Sequence, residues 1–187
     1  MNEIGPPEPF VDALLSLRRA SVDPSLSIYE APAPARLSPY AAAVQVDAGL
    51  ADEEHPIGSS TLVVLYDPDE QENWGGPFRL VGHARIQIDA DQSTDPLLGE
   101  AIWQTLVDSF DEAGAGFDRL VGSVTREITE TFGGLDLMGS VLNADLRCSW
   151  SPVSEELAEH LTAWSEALRQ NCGLEPSGVT SFGTING

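Results

Sequence analysis

The fold is decided by the stretch from Ser59 to Asp89, which reads SSTLVVLYDPDEQENWGGPFRLVGHARIQID. Its first part, Thr61 to Tyr66, is almost continuously apolar and predicts a strand that is buried in a sheet. The second part, Phe78 to Ile88, alternates in character. One side of it carries Leu80, Gly82, Ala84, Ile86 and Ile88, and the other carries Val81, His83, Arg85 and Gln87. One sheet face is therefore expected to pack on helices, while the other is polar or covers a partner.

Further elements are predicted on either side of this hairpin. Apolar residues at helical spacing, with Pro near the start or Gly after the end, indicate three helices. They are Pro7 to Ala20, a helix that starts at Asp95-Pro96 and stops at Gly114, and a helix capped by Ser154 that runs to about Asn171. Strands are expected at Tyr40 to Asp47 and Val141 to Trp150, with a short edge strand at Ser27 to Glu30.

The segment from Phe117 to Phe132 fits two structures. Leu120, Val124 and Ile128 would form a helical stripe, but the many Ser and Thr residues favour a strand, and we predict a strand paired with Val141 to Trp150. The resulting order, αβββαββα, predicts an α+β fold in which helices pack on an antiparallel sheet. We expect one domain over residues 1–187, with an ordered core of about 7–173 and a loose tail at 174–187.

The amino-acid composition limits which classes of ligand this chain can bind. Thirty Asp and Glu face nine basic residues, all Arg, so the net charge is −21. Such a surface repels phosphate backbones and anionic lipids, and we expect neither nucleic-acid nor membrane binding. The negative charge either keeps the protein soluble or attracts a basic or amphipathic protein.

The N-terminus lacks the pattern of a signal peptide, so a cytoplasmic location is expected.

Catalytic and metal-binding patterns are not apparent in the sequence. His55, His83 and His160 lie on different predicted elements without metal-ligand spacing, and Cys148 and Cys172 form no close pair. We therefore expect no cofactor and no classical enzyme.

Two loops with an aromatic residue before two glycines are candidate binding sites. They are Trp74-Gly75-Gly76 and Phe132-Gly133-Gly134. They would meet at one end of the sheet and hold a peptide or small ligand, or each is a simple turn with its aromatic ring over its own strands. The strand arginines Arg85, Arg126 and Arg147 would bind an anion on the polar face or form salt bridges with neighbouring carboxylates.

Two resemblances add to these patterns. The element order and acidity resemble type III secretion chaperones and YbjN-like proteins. The whole chain also resembles an uncharacterised actinobacterial protein family, which is defined only as a domain of unknown function. The residues that carry this resemblance are Leu37 to Tyr40, Asp67-Pro68, Glu72 to Arg79, Asp95 to Leu98, Thr125-Arg126, Phe132 to Gly134, Ser149 to Pro152 and His160 to Trp164. The family implies no activity.

Together these features predict a non-enzymatic, protein-binding module of chaperone-like or adaptor-like character. Its partner would be another protein or a second copy of the chain. The alternative is a small-ligand-binding protein or an unusual enzyme with a pocket near Trp74, Phe132 and Arg85.

Overall fold

The computed structural model describes residues 5–49, 56–130, 132 and 141–177. It confirms an α+β fold in which a six-stranded antiparallel sheet packs on helices. The strand order across the sheet is β1-β2-β3-β4-β6-β5. The strands are β1 (Leu26–Ala31), β2 (Tyr40–Ala48), β3 (Gly58–Tyr66), β4 (Phe78–Gln87), β5 (Phe117–Thr129) and β6 (Val141–Pro152), and the helices are α1 (Glu8–Ser16), α2 (Ala90–Ser93), α3 (Leu98–Ala113) and α4 (Ala158–Asn171).

The central hairpin of the sheet forms as its sequence predicts. β3 and β4 pair in an antiparallel register that sets Leu62 opposite Gly82, and the even-numbered residues of both strands are buried. The strand alternative for Phe117 to Phe132 is also confirmed, because β5 pairs along β6 in an antiparallel hairpin. The predicted edge strand is longer than expected and is a full member of the sheet as β1.

The helix boundaries differ from the sequence prediction. The first helix ends at Ser16, and Leu17–Arg19 form one turn of 3₁₀ helix. The third helix begins at Leu98 rather than beside Pro96, although the Asp95 carboxylate does accept a hydrogen bond from the Leu97 N–H at 2.8 Å. The last helix begins at Ala158, so Ser154 is not its cap. The residue before this helix is bound by α1 instead, because the Leu157 N–H donates a hydrogen bond to Ser16 Oγ at 2.8 Å.

The hydrophobic core lies between the helices and one face of the sheet. α4 is at its centre, where Trp164 packs against Gly82 and donates a hydrogen bond from Nε1 to Ser60 Oγ at 3.1 Å. Trp150 of β6 lies beside Trp164, with ring centroids 6.1 Å apart. Phe110 of α3 meets Trp150 edge to face and closes the core. The helices thus cover one face, and the part of the chain that the structure describes places no helix on the other.

The start of the tail that we expected to be loose makes contacts in the structure. The Ser177 N–H and hydroxyl both donate to the Asp23 carboxylate, and these bonds lower the pKa of Asp23 below its ordinary value. Arg169 of α4 donates to the Leu174 carbonyl. Residues 178–187 lie outside the described residues.

The contact between Trp164 and Gly82 predicts a sharp intolerance to a single methyl group. A Cβ at position 82 would lie 2.5 Å from two ring atoms of Trp164, a fully buried side chain, so Gly82→Ala is expected to destabilise the fold by about 1–3 kcal/mol through overpacking. Gly76→Ala is the matched control, because a Cβ there meets no atom within 4 Å. Urea unfolding measures both, and equal stability of the two variants would contradict this account of the core.

Buried His160 predicts a pH-dependent stability. Its Nδ1 accepts a hydrogen bond from Trp150 Nε1 at 3.1 Å, and burial lowers its pKa from 6.5 to about 4. The unfolded chain therefore binds a proton between these values that the folded chain does not, and stability falls as the pH drops through this window. Between about pH 7 and about pH 5 the loss due to His160 should be about 2 kcal/mol.

His160→Gln keeps an acceptor for Trp150 and removes the titrating ring. Urea unfolding at both pH values should show a smaller loss on acidification for this variant than for the unmodified chain, since the carboxylates titrate equally in both. Parallel losses would show that His160 does not control this pH dependence.

Candidate functional site

The uncovered face of the sheet collects polar side chains from all six strands. Antiparallel pairing places the odd-numbered residues of β4 and β6 on this face, and the register sets His83 opposite Arg147 and Arg85 opposite Asp145. β5 continues the face, with Ser123 opposite Arg147 and Thr125 opposite Asp145. We call this surface the open face. It confirms the polar side predicted for Phe78 to Ile88.

Asp145 is the centre of an ion-pair network on the open face. Its side chain is only 10% exposed, and its two oxygens meet His83 Nε2 at 2.9 Å and Arg85 Nη1 at 3.1 Å. Arg85 also donates to Glu127 at 2.9 Å, which raises the pKa of Arg85 and lowers that of Glu127. The salt-bridge alternative for Arg85 is therefore confirmed, and its charge is already compensated.

Arg126 and Arg147 occupy different positions from Arg85. Arg126 lies on the helix side of β5 and donates to the backbone carbonyls of Ser93 and Pro96, which anchors the segment before α3. Arg147 is exposed on the open face, midway along β6 and opposite His83. Of the three strand arginines that the sequence singled out, only Arg85 and Arg147 share a surface.

A second group of arginines lies toward the other end of β4. Arg79 is 9% exposed and donates to Ser151 Oγ at 3.0 Å, Ser149 Oγ at 2.7 Å and the Arg119 carbonyl at 3.1 Å. Burial, together with the charge of Arg119, lowers the pKa of Arg79. Arg119 is brought here by an irregularity in β5 between Asp118 and Val121, which the sequence did not reveal.

The Trp74-Gly75-Gly76 loop borders this arginine group. Ser151 Oγ donates to the Trp74 carbonyl, and the Arg119 guanidinium packs against Gly75 so closely that a Cβ there would lie 2.8 Å from its Nε. Gly75 has a φ of +74°, a conformation that suits glycine. Gly76 shows no such crowding. The loop therefore has a structural role in holding Arg119.

The structure does not bring Phe132 to this loop. Trp74 lies at the end of the sheet where β6 finishes, and Phe132 follows the end of β5 where β6 begins. Twelve residues of β6 separate the two positions, which is about 40 Å of extended chain. Phe132 is 81% exposed, and Gly133 and Gly134 lie outside the described residues. The two loops therefore lie toward opposite ends of the sheet in the described residues, which favours the alternative in which each is a separate turn.

Sequence reasoning missed an apolar groove on the helix side of the molecule. Val11, Leu14 and Leu15 of α1 form one wall, and the helix-facing residues of the first two strands form its floor. The floor residues include Ile28, Ala42 and Val44. Its volume is about 630 Å³. The sequence signal for it is that Val11 and Leu15 are apolar and lie four residues apart within the predicted helix.

Neither cysteine has the character of a nucleophile. Cys148 and Cys172 are free thiols, and burial raises the pKa of each to about 12. Within the described ranges, no group of three or more His, Cys, Asp or Glu residues has the geometry to hold a metal ion. His55 lies outside them. The described helices include none long and apolar enough to cross a membrane.

The comparisons with known proteins give a family and no activity. A family model described as a protein of unknown function, DUF3000, matches residues 6–180. The chain belongs to this family, which confirms the resemblance to a family of unknown function. No curated protein and no solved structure matches the chain.

The network around Asp145 predicts unequal effects of two neutral substitutions. Asp145→Asn removes a mostly buried carboxylate that pairs with the Arg85 guanidinium and hydrogen-bonds the His83 ring, and it should destabilise the fold by about 1.5–3 kcal/mol. Glu127→Gln breaks only the exposed end of the network and should change stability little. Chemical unfolding of both variants at neutral pH measures this, and a larger effect at Glu127 would contradict the assigned centre.

Proposed function

We propose that this protein is a non-enzymatic, protein-binding module whose docking surface is the groove between α1, β1 and β2. The occupant would be an amphipathic helix of a partner protein, with an apolar face toward the groove and a basic face toward solvent. One observation carries this proposal: large apolar side chains from α1 and from the floor of the groove are exposed side by side.

The exposure of these side chains is substantial. Leu15 is 45% exposed, Val11 36% and Ile28 43%, and all three line the groove. Burying them against a partner would stabilise the complex by about 25 cal/mol per Å² of apolar surface removed from water, before the entropic cost of association. They are therefore suited to anchor an apolar helix face.

The position of the groove favours a helix over an extended strand. Its floor belongs to the face of the sheet that α1, α3 and α4 cover, and α1 stands beside it as a wall. A helix added here would extend the existing helical layer over β1 and β2. Helices with apolar residues at regular spacing commonly bind such grooves.

The lining supports a protein rather than a small polar ligand. Among its lining residues, Arg18 and Glu30 carry charge, and nearly all the others are apolar. Few polar groups are therefore present to fix the orientation of a small molecule.

Charge supports a basic partner over a second copy. Glu8 and Asp12 are exposed on α1 next to the apolar wall, and the whole chain carries a charge of −21. Two such chains repel each other, whereas a basic segment is attracted and steered toward the surface.

A cytoplasmic location is part of this proposal. Cys148 and Cys172 are unpaired thiols, and a reducing compartment preserves such thiols. Fractionation of the source cells tests it, and recovery of the chain in the extracellular or membrane fraction would contradict it.

A labelled peptide pair tests the groove. One peptide is an amphipathic helix with Leu on one face and Arg on the other, and its twin carries Glu in place of Arg. Fluorescence anisotropy should show that the basic peptide binds, and that Ile28→Asp weakens this binding tenfold or more by placing a charge in the apolar floor. The acidic twin should not bind.

Val121→Asp is the control for nonspecific attraction. Val121 is 58% exposed on β5, at the opposite edge of the sheet, so this variant adds the same charge away from the groove. It should bind the basic peptide as well as the unmodified chain does. Equal binding by all three proteins would show attraction by net charge alone and would contradict the proposal. A dimer in light scattering that Leu15→Asp dissociates would make a second copy the occupant instead.

A further inference from the structure

The buried arginine of β4, Arg79, forms no ion pair with any carboxylate in the described ranges. Among the described residues, carboxylates lie within salt-bridge distance of Arg19, Arg85 and Arg169, but Arg79 contacts only hydroxyl and carbonyl oxygens. Buried charges in proteins are normally paired. In a chain with thirty Asp and Glu against nine Arg, an unpaired buried cation is unexpected.

Two more arginines lie near Arg79 and its serine partners. Arg119 lies close enough to Arg79 for its charge to lower the pKa of the Arg79 guanidinium. Arg147 is on the open face two residues from Ser149, whose Oγ accepts from Arg79. Arg147, like Arg79, has no carboxylate at salt-bridge distance in the part of the chain that is described. We call Arg79, Arg119, Arg147 and Ser149 the arginine cluster.

The neighbourhood of the cluster supplies additional hydrogen-bond donors. Ser149 already accepts from Arg79, so its own hydroxyl hydrogen is directed elsewhere. Ser123 lies opposite Arg147 on β5, and Thr125 is two residues further along the same exposed face. Asp118 is the nearest carboxylate along the chain, and it forms no ion pair with a described arginine. The surface thus offers guanidinium and hydroxyl donors to an acceptor-rich ligand.

We propose that the arginine cluster binds the phosphate group of a small phosphate monoester or free phosphate. A phosphate carries a charge near −2 at neutral pH and three strong acceptor oxygens, which match several guanidinium groups better than a single carboxylate does. Nucleic acid is a poor candidate because the −21 charge repels an extended polyanion, whereas a small anion meets only the local cluster.

The glycine loop belongs to this site as a support. Arg119 packs against Gly75, and Ser151, which also accepts from Arg79, donates to the Trp74 carbonyl. The loop therefore holds Arg119 and, through Ser151, the position of Arg79. This gives the sequence-predicted Trp74 and Gly75 a role in ligand positioning that does not involve Phe132. The site lies on the open face, away from the groove, so it is independent of the proposed protein-binding surface.

Titration of the isotopically labelled chain with inorganic phosphate and with phenyl phosphate, followed by amide NMR at fixed ionic strength, tests the site. Both probes should give saturable shifts at Gly75, Arg119 and Ser149. Tighter binding of phenyl phosphate would identify a monoester as the ligand, and equal affinity would identify free phosphate. The absence of saturable shifts with either probe would overturn the proposal.

Three single variants with the same change in charge complete the test. Arg119→Gln and Arg147→Gln each remove one exposed donor of the cluster and should weaken binding about tenfold. Arg36→Gln removes an exposed arginine from the loop between β1 and β2 and should leave the affinity unchanged. Equal affinities in all three variants, or equal weakening in all three, would overturn the assignment of the site.

Discussion

The packing of Trp164 on Gly82 is the constraint on which the rest of the molecule depends. Because glycine has no side chain, the indole ring of α4 lies directly on the backbone of β4, and its N–H reaches Ser60 on β3. This contact holds α4 at the middle of the sheet, where Trp150 and Phe110 pack around it. Most of the large core side chains lie on this face, and most of the polar side chains of the sheet lie on the opposite face.

Leaving one face uncovered explains why the polar groups of this protein are linked across strands. A half-exposed sheet in contact with water must satisfy its inner polar atoms through neighbouring strands. Asp145 does so with His83 and Arg85, and Asp47 does so with Tyr29 and Ser59. Arg79 obtains its hydrogen bonds in the same way, but none of its partners within the described ranges is a carboxylate. The networks of Asp145 and Asp47 are therefore structural, whereas the charge of Arg79 makes its surroundings suited to an anionic ligand.

Local patterns in the sequence were sufficient for the fold class, but they did not define the site. The alternation in Phe78 to Ile88 and the apolar run before it specify a two-faced hairpin, and both faces are confirmed. The starts of α3 and α4 were misplaced because Leu97 and Leu157 precede them without a side-chain cap. Arg85 meets Asp145 and Glu127 across 60 and 42 residues, and only the strand register brings such distant groups together. The irregularity at Arg119 has no sequence signature.

The two proposed surfaces lie on opposite sides of the sheet, one on the helix side and one on the open face. The short α1 leaves part of the floor formed by β1 and β2 uncovered, so apolar groups remain exposed on the helix side. On the other side, Arg79, Arg119 and Arg147 form no ion pair with a carboxylate among the described residues, and Arg79 donates to two serine hydroxyls. Their chemistry is different, since the groove is lined mainly by apolar side chains and the cluster by arginines and hydroxyl groups. A basic helix and a phosphate group would therefore not compete for one site, and both could be bound by the same molecule.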